Sequence, residues 1–188
     1  MLRLMNRITR VNIFAHGGAL GASLVYFLWV KARLDASYAA SKHPVDHLTG
    51  QTAFSAEVIK GYYAHMQGHG TLGIYQRAQV IDFGFILGML LVGVLLGTFI
   101  ARFAREGSAA RRAALLAGLA MIGAAICDSI ENLISFAMLA DPQGFAGWIA
   151  LAYSGFALVK FALVALAILL ALSAFVLTIA QRLRGSVK

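Results

Sequence analysis

One cysteine stands in the whole chain of 188 residues, so no intramolecular disulfide can form and two-cysteine thiol–disulfide chemistry is excluded. Charge is scarce as well. Only 13% of the residues are charged, against about 25% in a soluble domain, while 60% are hydrophobic and mean hydropathy is +0.78. That balance excludes an ordinary water-soluble domain and points to lipid. No basic, aromatic-interleaved module stands apart from the apolar runs. The net charge of +8 therefore describes topology signals and contacts to anionic headgroups, with no nucleic acid among the expected partners. No inverted repeat is visible, which argues against a secondary transporter. No second histidine matches the depth of His16, which excludes a bis-histidine haem and leaves His16 as a hydrogen-bonded packing residue.

The apolar runs are long. Residues 11–30, 83–101 and 161–181 contain no Lys, Arg, Asp or Glu, and residues 113–140 are broken only by a small acidic cluster. Each approaches or exceeds the ~20 residues that cross ~30 Å of hydrocarbon. The expected fold is all-α: one polytopic membrane domain over residues 1–188, with helices at about 11–31, 79–102, 112–140 and 147–182 and an outer loop at 32–78. Arg3, Arg7, Arg10, Arg102, Arg105, Arg111, Arg112, Arg182, Arg184 and Lys188 fall on one side; Lys31, Arg33, Lys42, Lys60 and Arg77 fall in the long loop. The positive-inside rule puts both termini in the cytoplasm. A cleaved signal peptide fits poorly, because the first apolar run exceeds the 7–15 residues of a signal h-region.

Within the loop, Phe54, Val58, Tyr62 and Met66 recur every four residues, with Glu57 placed to suit the dipole of a first turn. This reads as a short amphipathic helix on the outer surface, ended by Gly68 and Gly70, that lids whatever lies below. His43 with His47, and His65 with His69, have the i,i+4 spacing that suits zinc on a helix. Pro44 disfavours helix at His43 and Gly68 weakens the second pair, so no metal or cofactor is expected. Gly17 with Gly21, Gly84 with Gly88, and Gly93 with Gly97 are small-residue pairs that allow close helix contact or a homodimer seam.

Charge inside a spanning helix is expensive, so Asp82, Asp128, Glu131 and Lys160 call for a reason. At 1.5 Å per residue, Asp128 and Glu131 lie roughly 24 and 28 Å beyond Arg112. Asp82 lies about 30 Å from Arg102, and Lys160 about 33 Å from Arg182. Three helices thus bring their charges to one depth, in the outer third of the bilayer. Asp128 and Glu131 share a face, with Asn132 and Ser135 one turn on. In the bland reading Lys160 locks packing against one acid, and Asp82 marks a helix end by snorkelling. In the functional reading three acids face one lysine. One carboxyl then keeps its proton, or Arg77 supplies a second positive charge. A protonated carboxyl beside an ionised one suits acid–base chemistry or proton-coupled binding.

Tyr75, then Asp82 and Phe85, then Asp128-x-x-Glu131-Asn132, then Lys160-Phe161 resemble the motifs of a family of small bacterial four-helix integral membrane proteins, itself uncharacterised. Members carry Gly-Arg-x-x-Tyr, an Asp followed by Phe-Pro, Asp-x-x-Glu-Asn in helix 3, and Lys-Trp. The resemblance covers about 54–160, and here Thr71-Leu72, Ile86 and Phe161 replace Gly-Arg, Pro and Trp. It implies a bacterial inner-membrane location and groups Asp82, Asp128, Glu131, Asn132 and Lys160, while leaving the activity open.

The expected function is a membrane protein with an acid-rich polar site that binds a lipid or small hydrophobic molecule, or an accessory subunit of a larger complex. Asp82, Asn132, Lys160, Tyr75 and Arg77 would bind the ligand. The alternative is a small membrane enzyme with Asp128 and Glu131 as its catalytic carboxyls acting on a lipidic substrate. Expected partners are membrane lipids, with a homo-oligomer or a larger membrane complex left open.

Overall fold

The structure, a computed structural model, describes residues 1–185. Lys188, counted above among the basic residues, lies outside them, as does the side chain of Arg184. Among the described residues every regular element is an α-helix: α1 (Leu2–Ile8), α2 (Ile13–Ala40), α3 (His47–Gln51), α4 (Ala56–Gly68), α5 (Leu72–Phe103), α6 (Ala109–Ala140) and α7 (Gly147–Gly185). Four of these, α2, α5, α6 and α7, are long and apolar enough to cross a membrane, so the fold is that of a four-helix, multi-pass membrane protein.

The helix ends correct the sequence reading, because a charge does not stop a helix. α2 runs nine residues past the expected 31, and Lys31 pairs with Asp35 one turn on at 2.5 Å, both half exposed. It ends where Lys42 enters the left-handed region at φ 55°. α5 starts at Leu72 instead of 79, just after Gly70 turns the chain at φ 67°. α6 starts at Ala109 instead of 112, because Ser108 Oγ accepts from the Arg111 N–H as an N-cap does. α7 starts at Gly147 as expected and runs on to Gly185. The loop expected over 32–78 therefore shrinks to 41–71, and much of that is helical.

The chain folds as two compact units, each drawing a stretch from every one of the four long helices. One comprises Met1–Tyr26, Gly88–Ala124 and Ala162–Lys188. Its core gathers Ile100 and Ala101 of α5, Ala114 and Leu115 of α6, and Ala174 of α7 around Met5. Met5 belongs to α1, a helix that the sequence reading missed. Arg111 fastens it there, donating to Asn6 Oδ1 at 3.0 Å, to Thr9 Oγ1 at 3.3 Å and to the Ala101 carbonyl at 3.0 Å. Helices α5 and α6 touch closely where Gly97 meets the Ala114 carbonyl and the backbone of Gly118. His16 is buried and hydrogen-bonded, as expected, with Nε2 3.1 Å from the Leu95 carbonyl and Arg102 Nη1 3.5 Å from Nδ1. Donation through Nε2–H and acceptance at Nδ1 satisfy both contacts.

The other unit comprises Phe27–Leu87 and Ala125–Phe161. Its apolar core packs Ile59, Tyr63 and Met66 of α4 against Tyr75, Met138, Leu139, Phe145, Ala150 and Tyr153. The amphipathic helix therefore exists, and Glu57 sits in its first turn with Ser55 as its cap. Its buried stripe is not the expected one: Phe54 and Val58 are both 42% exposed. A repeat of four gains about 40° per turn over a period of 3.6 and drifts off any single face. Residues 59, 63 and 66 keep the i, i+4, i+7 spacing that stays on one. The helix covers protein on that side.

Candidate functional site

Three helical stripes in the second unit carry the polar groups. α6 presents Asp128, Glu131, Asn132 and Ser135, spaced i, i+3, i+4 and i+7. α5 presents Tyr75, Gln79 and Asp82 at i, i+4 and i+7, and α7 presents Tyr153 and Lys160 seven apart. Spacings of three, four and seven keep each set on one face. All of these residues are buried, and Glu131, Asn132 and Ser135 have no exposed surface at all.

Lys160 is the hub. Its Nζ lies 2.5 Å from Glu131 Oε2, 3.0 Å from Asp128 Oδ1 and 3.1 Å from Gln51 Oε1. An ammonium has three N–H donors, and each has one acceptor here. The Phe161 ring lies 4.7 Å from the same nitrogen and adds a cation–π contact. Asp82 is held separately, accepting from Asn132 Nδ2 at 2.7 Å. Gln79 Nε2 donates to Ser135 Oγ at 2.5 Å and to Tyr75 Oη at 3.2 Å, a third set held by an amide. Three buried polar atoms among the described residues have no hydrogen-bond partner: His47 Nε2, Glu131 Oε1 and Asn132 Oδ1. Buried polar atoms are nearly always partnered, so two such acceptors on successive residues of α6 stand out.

No protein-family model matches this chain, and neither a curated protein nor a solved structure is similar to it. The geometry therefore stands by itself. It joins Asp128 and Glu131 to Lys160 and, separately, Asp82 to Asn132, while Tyr75 meets Gln79. It does not bring Arg77, which is exposed and lines a separate groove of about 590 Å³ with Gly70, Gly73, Val80 and Phe136. Arg77 sits five residues before Asp82, about 140° around the helix, which turns it to another face. Asp82 is no helix-end residue either, since α5 begins ten residues earlier.

Gln51 and Gln79 were missed, because a search for ionisable residues passes over neutral amides. Gln79 had a signal, lying on the same stripe as Tyr75 and Asp82. Gln51 had none, because it belongs to α3, a five-residue helix that breaks no apolar run.

His43 and His47 do not share a helix, whereas the His65 and His69 rings lie 4.4 Å apart at the end of α4. His43 precedes α3 and stacks on Tyr38 at 5.0 Å between ring centroids, and its Nδ1 lies 2.9 Å from the Val45 carbonyl. His47 stacks on the same Tyr38 at 3.5 Å. Burial pushes the His43 ring below its ordinary range and His47 down to about 4, against the opposing pull of Asp35 on His47. Both are neutral aromatic packing pieces at neutral pH. His69 Nδ1 lies 2.9 Å from the His65 carbonyl. Among the described residues no three His, Cys, Asp or Glu side chains are grouped to hold a metal ion.

Proposed function

We propose that this chain is a membrane protein whose buried network binds the polar head of a lipid or small hydrophobic molecule, alone or as the accessory subunit of a larger complex. The observation that carries the reading is the pair of orphan acceptors, Glu131 Oε1 and Asn132 Oδ1, on successive residues whose other side-chain atoms meet Lys160 and Asp82. A cluster serving packing alone has no use for two unpaired acceptors, each of which costs about 1–3 kcal/mol. A group bearing N–H or O–H donors removes that cost. Native mass spectrometry of detergent-purified protein tests this. Wild type is expected to retain a bound amphiphile that Asn132→Leu loses while still melting cooperatively. Bare protein in both cases sinks the binding reading.

One observation favours a second reading, a membrane enzyme using Asp128 and Glu131 for acid–base chemistry. The two carboxyls share Lys160 but are not alike: Glu131 Oε1 is buried without a hydrogen-bond partner, and neither Asp128 oxygen is. Unlike environments separate an acid from a base.

The resemblance to bacterial four-helix proteins and the basic-residue count together support a bacterial inner-membrane protein with both termini cytoplasmic. Gly68→Cys, at an exposed position with open space around it, should in a Cys127→Ser background then label with a membrane-impermeant maleimide added outside. Labelling only after the cytoplasmic side is opened reverses the orientation.

A further inference from the structure

The segment between α2 and α4 is bracketed by strain. Lys42 at φ 55° and Phe54 at φ 51° are the two non-glycine residues with positive φ among those described. Neither is a residue type that favours the left-handed region, and such positions persist only where surrounding contacts hold them. Between them only Gly50 is fully buried. The segment is held by ring contacts, with His43 and His47 stacked on Tyr38 and His43 also against Tyr62 and Tyr75, and by hydrogen bonds: Tyr38 Oη donates to the Val45 carbonyl at 2.9 Å, and the Phe54 N–H donates to Ser154 Oγ at 3.0 Å. A third is the Lys160 bond to Gln51 Oε1. A strap with a strained residue at each end thus places one neutral amide on the hub of the buried cluster.

The chemistry at that point is specific. Gln51 takes the one Lys160 donor that Asp128 and Glu131 leave, while Glu131 Oε1 and Asn132 Oδ1 still want donors. The Asn132 amide is oriented by Asp82: a carboxylate accepts, so the nitrogen faces it and the oxygen is the orphan. A head that satisfies all three positions offers one acceptor and two donors. An ammonium head has no acceptor and is repelled by Lys160. A carboxylate or phosphate head has no donor for the two orphans and adds negative charge to three acids. A neutral primary amide or vicinal diol fits.

We propose that 42–54 is a lid, and that Gln51 occupies the place on Lys160 that the neutral, amide- or diol-bearing head of a membrane amphiphile takes when the lid lifts. This rests on the binding reading above and adds the head group and the competitor. An occupied lid lowers apparent affinity in proportion to the closed fraction. Removing the Gln51 amide should therefore tighten binding, the reverse of what loss of a structural contact or ligand contact does. Glycine at Lys42 relieves the left-handed cost of the closed form and should weaken binding.

The test uses the whole chain in detergent with four probes of equal chain length: dodecanamide, 1-monododecanoylglycerol, dodecylamine and dodecanoate. Occupancy is read by native mass spectrometry and melting shift. The neutral pair should bind wild type saturably, at least tenfold more tightly than the amine or the acid. Gln51→Ala should bind them several-fold more tightly, and Lys42→Gly several-fold more weakly. Melting curves without probe check that both variants fold, and Lys42 is exposed, so its variant remains usable if Gln51→Ala does not fold. If the neutral probes bind but neither variant shifts affinity in its stated direction, the lid is overturned while the binding reading stands. Tighter binding of the amine or the acid overturns the head-group assignment alone. If no probe binds wild type or either variant, the inference falls together with the reading beneath it.

Discussion

Lys160→Met is expected to lower stability in detergent by about 3–5 kcal/mol, the range for removing one partner of a buried ion pair. The loss comes less from missing attraction than from what is left behind. Asp128 and Glu131, 3% and 0% exposed, would face a thioether in place of the ammonium now within 3.0 Å and 2.5 Å. Neutralising the survivors should undo much of the damage, so Lys160→Met with Asp128→Asn and Glu131→Gln should melt well above the single variant. Removing partners together leaves polar groups to find neutral hydrogen bonds, which is far cheaper than stranding charge. Melting curves for the single, double and triple variants decide it. A single variant that melts like wild type, or a triple no better than the single, would show that the charges do not depend on one another.

Gly97→Ala should be strongly disruptive, costing about 1–3 kcal/mol through overpacking. A methyl there would lie 2.6 Å from the Ala114 carbonyl oxygen and 3.1 Å from the Gly118 nitrogen. Both are backbone atoms of α6, and backbone cannot swing aside, so the two helices must separate. Gly93→Ala should be costly too, since its methyl would run into Met121 Cγ and lie 2.7 Å from Met121 Cβ, and a Cβ moves only with its backbone. Gly17→Ala should be nearly silent, because its nearest neighbour would be Phe99 at 3.9 Å, an ordinary contact. The measurement is a melting series over the three variants. Equal losses at Gly97 and Gly17 would refute the close crossing.

Glycine spacing alone does not rank these sites, and the same limit runs through the rest of the chain. The four spans are readable because hydrocarbon thickness imposes a length, and Phe83 to Ala101 meets it without a charge. Their ends are not readable from charge, because Lys31 and Asp35 point out of a continuing helix. Caps and left-handed residues stop helices instead, and Ser108, Gly70 and Lys42 were the places to look. The cluster is readable because rise per residue converts position into depth, so Asp82, Asp128, Glu131 and Lys160 were found together. Arg77 shows where that conversion runs out. Depth says nothing about which way a residue faces, and Arg77 shares a depth with the site but not a side. Gln51 lies beyond any such rule, because a loop residue has no periodicity to place it.

The acidic face of α6 has a consequence for how the chain enters a bilayer. On insertion scales an Asp at a helix centre is unfavourable by about 2.5–3.5 kcal/mol, so a segment carrying both Asp128 and Glu131 starts at a deficit. Alone, α6 is a poor candidate for release from the translocon. Its counter-charge, Lys160, is on α7, only the short stretch 141–146 further along the chain, and α7 has the highest hydropathy of the four. α6 and α7 are thus suited to leave as a helical hairpin, with Lys160 already neutralising the acids. Translation of the last quarter of the chain becomes the step that commits the third span to the membrane.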